Sequence, residues 1–90
     1  MKKSRGLKIL EEYSAKEYFF LGRGMSSEVF HDGEWVYKVF LLEEIESLKY
    51  KRFILGNLKH RMDLFNKSEF FYPIEKLIEV DSDVYILIYS

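Results

Sequence analysis

Ninety residues limit this chain to one small domain with a thin core. Its 48% hydrophobic and 18% aromatic content reads as folded chain rather than disorder, and a net charge of −1 with both signs interspersed argues against nucleic acid or an anionic membrane as a partner. The absence of cysteine excludes disulfides and thiolate metal sites and fits a cytoplasmic location; no apolar run approaches the ~20 residues that span a bilayer, and no signal-peptide core follows the basic start at Lys2 and Lys3.

Residues 1–17 read as a lead-in. Leu7, Ile9, Leu10 and Tyr13 are spaced for one or two helical turns or an irregular segment. A first strand is expected over 18–21. A hairpin over 28–31 and 34–40 turns at Asp32-Gly33, a pair suited to the positive φ of a tight turn. Within its second strand Trp35, Tyr37 and Val39 alternate with Val36, Lys38 and Phe40, which puts Lys38 on the face of Val36. The spacing of Leu41, Ile45, Leu48, Leu55 and Leu58 predicts one long helix over 41–60, weakened in its last turn by Gly56-Asn57. Residues 61–71 read as a polar-aromatic connector, and Pro73 bars helix and restarts extended chain. A second hairpin over 74–80 and 84–89 turns at Asp81-Ser82-Asp83. The expectation is an α+β domain over 18–90: a five-stranded antiparallel sheet with one long helix packed on it.

The stretch from Leu21 to Lys38 carries the chemistry. Gly22 and Gly24 follow an apolar strand, Val29 stands five residues beyond Gly24, and Lys38 closes the alternating run after the hairpin. Glycines let backbone N–H groups approach a polyphosphate without side chains in the way, and a lysine adds a point charge. The plainer alternatives are a glycine-containing turn without a ligand, and a lysine whose stem covers the sheet while its head reaches water.

This stretch resembles the start of a protein-kinase-like domain, whose loop reads G-x-G-x-x-G-x-V and whose lysine ends V-A-I-K. Gly22, Gly24 and Val29 fall in register, Ser27 replaces the third glycine, and Val36-Tyr37-Lys38 stands for A-I-K. Residues 72–80 look like the family's fourth strand after a proline, and 85–88 like the fifth. The resemblance therefore covers residues 18–90 as an N-terminal lobe, with Tyr89-Ser90 at the start of the hinge. It implies that ATP is the cofactor and that Mg²⁺ enters only through the nucleotide. Backbone N–H groups around Met25, Ser26 and Ser27 would face the phosphates, Val29 would cover the adenine, Val36 would lie above its ring, and Ile88 would stand at the back of its pocket. Lys38 would pair with the α- and β-phosphates.

The chain departs from the pattern in its helix. Aligning Ile54 to His60 with the family's I-L-x-x-L-x-H puts Lys51 where a glutamate should orient Lys38. Glu43, Glu44 and Glu46 are substitutes; Glu44 is preferred because it borders the apolar face. The H-R-D and D-F-G segments that carry catalysis in this family do not occur among these residues, so the chain alone is expected to lack kinase turnover. The parent would be a serine/threonine-type or small-molecule kinase, and the partner a C-terminal lobe. The alternative is a non-catalytic, pseudokinase-like module that binds another protein or itself through exposed apolar surface. His31 and His60 have no metal-site spacing, no serine–histidine–acid triad is apparent, and Phe65, Phe70, Phe71 and Tyr72 read as packing or docking surface.

Overall fold

The computed structural model describes residues 3–67 and 74–89. The chain opens with helix α1, Arg5–Tyr13. Ser4 starts it by accepting the Leu7 N–H through its hydroxyl at 3.2 Å, and the extended backbone of Ser14 stops it. Ile9 and Leu10 are buried in the main core. The lead-in is thus a packed element of the domain. Nine residues with Gly6 in the first turn make a weak helix in isolation. The sheet surface beneath Ile9 and Leu10 supplies the stabilisation that local sequence lacks.

Five strands follow: β1 Phe19–Arg23, β2 Ser27–His31, β3 Val36–Leu41, β4 Ile74–Asp81 and β5 Val84–Tyr89. They form one antiparallel sheet in the order β1-β2-β3-β5-β4. The β2–β3 hairpin turns where expected, with Gly33 at φ 95°, and Asp81 Oδ1 accepts the Asp83 N–H in the β4–β5 turn at 2.8 Å. Strand alternation divides the core in two. Phe30, Tyr37, Val39, Leu41, Val84, Ile86 and Ile88 join Ile9 and Leu10 on one face; Phe40, Leu42, Tyr85 and Leu87 join Leu58 on the other. Strand β5 is buried on both faces, which explains its unbroken apolar run.

The expected single helix over 41–60 is corrected on two counts. Among the described residues there are two α-helices, and the long one, α2, runs Leu48–Lys67. Leu41 is the last residue of β3, paired with Val84, and Leu42–Glu44 form a 3₁₀ turn fastened by the Leu42 N–H to the Asp83 carbonyl at 2.7 Å. Adjacent Leu41 and Leu42 enter opposite cores, which extended chain permits and a helix, turning ~100° per residue, does not. Ser47 then opens α2: its hydroxyl accepts the Tyr50 N–H and its carbonyl the Lys51 N–H. Ile54, Leu55 and Leu58 face the sheet, while Leu48 is 60% exposed. Of the expected 61–71 connector, residues 61–67 continue the helix; the remainder and Pro73 lie outside the described residues, as do Ser90 and the side chains of Phe65, Phe70, Phe71 and Tyr72.

Candidate functional site

The fold brings Gly22, Val29 and Lys38 together. Gly22 pairs with Val29, Val29 with Lys38, Lys38 with Leu87, and Leu87 with Leu77, so one register row crosses all five strands. Direct pairing puts these residues on one face, shared with Phe40 and α2, and the period of two adds Val36. A bulge at Leu21 offsets β1 so that Gly22, rather than its neighbour, meets Val29.

The loop between β1 and β2 is tight. The Gly24 N–H donates to the Ser27 carbonyl at 2.9 Å, and the Ser26 carbonyl accepts the Leu41 N–H at 2.8 Å. Ser27 is buried, and a Cβ on Gly24 would stand 2.7 Å from its Oγ, so a side chain there would oblige the Ser27 hydroxyl to turn aside. Gly22 differs. Nothing lies within 4 Å of where its Cβ would be, and its φ is not positive, so the surrounding fold places no demand on it. Met25 projects from the loop tip, 89% exposed.

Lys38 is half-buried, its Nζ 5.1 Å from the centroid of the Phe40 ring. Among the described residues no carboxylate oxygen lies within 4 Å of it. The preferred partner, Glu44, sits in the 3₁₀ turn instead and lines a cleft of about 180 Å³ with Arg5, Arg23, Gly24 and Glu28, on the α1 side of the loop. Burial of Leu41 and Leu42 in the two cores fixes that turn and carries Glu44 away. Glu43 binds Arg5 at 2.7 Å, and Lys51 reaches Asp83 at 3.6 Å. Ile88 is also displaced from its expected role. It is buried in the α1-side core, whereas Leu87 and Tyr89 share the face of Lys38. A one-residue offset in a strand reverses the face.

These residues suit a phosphate group in one respect: the open space at Gly22 and the ammonium of Lys38 lie on the same face. Among the described residues no three His, Cys, Asp or Glu side chains gather as metal ligands. No helix among them is long and apolar enough to cross a membrane.

Comparison with known protein families, with curated proteins and with solved structures finds no match to this chain.

Two polar clusters escaped the sequence reading. In the first, Asp32 accepts the N–H groups of Glu34 and Trp35 at 2.9 and 2.7 Å, the Tyr37 hydroxyl at 2.6 Å and Lys16 Nζ at 3.3 Å. Burial disfavours its charge, yet these donors outweigh burial and hold its carboxyl well below the usual range. Burial, reinforced by the adjacent Asp32 carboxylate, pushes the Tyr37 hydroxyl up to about 12. In the second, Glu28, 3% exposed, accepts the Gly6 N–H at 2.7 Å and Arg23 Nη2 at 2.8 Å. An acidic residue next to a turn was a visible signal for the first cluster. The second joins residues 22 apart in sequence and had none.

Proposed function

We propose that this chain is the nucleotide-binding lobe of a protein-kinase-like phosphotransferase, holding ATP phosphates with the loop from Gly22 to Ser27 and with Lys38. The observation that carries the reading is the register row Gly22–Val29–Lys38–Leu87 on one sheet face, with Lys38 on the third strand. A glycine loop over the phosphates and a lysine on β3 are the parts with which protein kinases grip ATP. Gly22 leaves room for the phosphates to approach its backbone, Lys38 neutralises their charge, and Val29 and Val36 offer apolar surface to the base. Leu87 and Tyr89 take the place first given to Ile88. Magnesium comes only with the nucleotide.

The chemical step needs an aspartate to position the acceptor hydroxyl and ligands for Mg²⁺, supplied in kinases by H-R-D and D-F-G segments that this chain lacks. Pure chain therefore binds Mg-ATP without phosphoryl transfer. The test is a Mg-ATP titration that follows backbone amide signals. Shifts confined to Gly22, Gly24 and Lys38, abolished in Lys38→Ala, are the expected result; silence up to millimolar nucleotide overturns it.

A second reading, a non-catalytic module that docks on a protein partner, is favoured by Lys38 having no carboxylate partner among the described residues and by the exposure of Phe19, Phe20, Leu21 and Met25. It predicts that silence.

A further inference from the structure

The glycine loop is tied to α1 by a buried carboxylate. Glu28 sits on the α1 side of β2, and its two oxygens divide the work: Oε1 accepts the Gly6 N–H in the first turn of α1, and Oε2 accepts from Arg23, the residue between the loop glycines. The carboxylate meets the positive end of α1, where unpaired N–H groups favour an anion. The fit is close enough to exclude a side chain, since a Cβ on Gly6 would stand 2.6 Å from Glu28 Oε1. Gly6 and Arg23 are therefore held through one group, although they belong to elements that do not pair in the sheet. A second ion pair, Arg5–Glu43 at 2.7 Å, fastens the same helical turn to the segment after β3, and the Leu41 N–H at the end of β3 holds the Ser26 carbonyl.

We infer that Glu28 is a positioning residue for the glycine loop, and that α1 is the strut against which it holds Arg23 and hence the Gly22–Ser27 backbone. The functional meaning of the strut rests on the nucleotide reading above. The strut itself does not. An N-terminal helix thus becomes a control point for the loop beside its first turn: whatever lifts that turn removes one side of Glu28's anchorage and frees Arg23.

Hydrogen exchange in the full chain tests this through two reporters, the N–H groups of Gly24 and Leu41, whose acceptors are the Ser27 and Ser26 carbonyls. Arg23 is largely exposed, so Arg23→Ala removes the tie while leaving Glu28 on Gly6. It is expected to speed exchange at Gly24 and Leu41 by roughly threefold to tenfold, with β5 amides unchanged. Glu28→Gln, which keeps an acceptor for Gly6 but loses the charge, should do the same, and Arg23→Lys should restore part of the protection. If the two reporters exchange as before in both Arg23→Ala and Glu28→Gln, the proposal fails; if β5 quickens in step with them, Glu28 is a general stabiliser and it also fails. Mg-ATP is added as a separate arm. Reporters that loosen while Mg-ATP shifts no amide, even in the unsubstituted chain, uphold the strut and remove the nucleotide reading.

Discussion

Four donors converge on Asp32 at the tip of the β2–β3 hairpin, and they tie part of the domain's stability to pH. Because its folded carboxyl is held below the unfolded value, the stability it contributes is complete above the ordinary aspartate pKa of ~3.9 and drains away as pH falls below that. Asp32→Asn should cost about 1.5–3 kcal/mol at neutral pH, by analogy with other hydrogen bonds to charged groups. Urea denaturation at several acidic pH values checks it: the variant's stability should fall less steeply than that of the unsubstituted chain. Tyr37 has the opposite sign. Its folded hydroxyl lies at about 12, raised by burial and by Asp32, so its contribution is complete below the unfolded tyrosine value and is lost as pH climbs towards 12. Tyr37→Phe keeps the edge-on ring contact with Tyr18 and should flatten that alkaline loss.

The two helices divide the sheet between them, and substitutions on them discriminate the observed packing from the periodic pattern. Leu10 is fully buried between α1 and the sheet, so Leu10→Ala should cost about 2–5 kcal/mol. Ser4→Ala removes only the cap and should cost about 1 kcal/mol. Leu48 is the contrasting case. The periodic pattern put it in the packed face, but it is exposed, and Leu48→Ala should stay within about 0.5 kcal/mol while Leu58→Ala is several-fold more costly. Chemical denaturation of the four variants measures all of these. The strands were legible because alternation and turn residues are local signals; the start of α2 was not, because Leu41 and Leu42 fit a helical spacing as well as a strand end. Ser47, a good N-cap residue, was the available clue.

In the whole molecule, α1 covers one face of the sheet while the face carrying Lys38 is shared with α2. Among the described residues, the clefts at the loop and at the end of α1 do not include Lys38, and a nucleotide held by Lys38 would lie outside both. Affinity should accordingly be weak. On the nucleotide reading, Mg-ATP about fivefold above Kd should stabilise the fold by about 1 kcal/mol through ligand linkage. That should raise Tm by roughly 4–8 °C for a domain of this size. Thermal denaturation with and without Mg-ATP measures the shift, and Lys38→Ala should remove it when read against that variant's own Tm in buffer.

The sequence by itself determined the five strands, both turns and the face that Lys38 shares with Val36, because side-chain alternation and turn chemistry act over a few residues. Tertiary structure decided the rest. It made a helix of residues 5–13 by offering Ile9 and Leu10 a surface to bury against, and it sent Leu41 and Leu42 into opposite cores, taking Glu44 away from Lys38. It moved Ile88 to the far face through a one-residue offset. It also joined Gly6, Arg23 and Glu28, whose attraction depends on a proximity that only the folded chain creates.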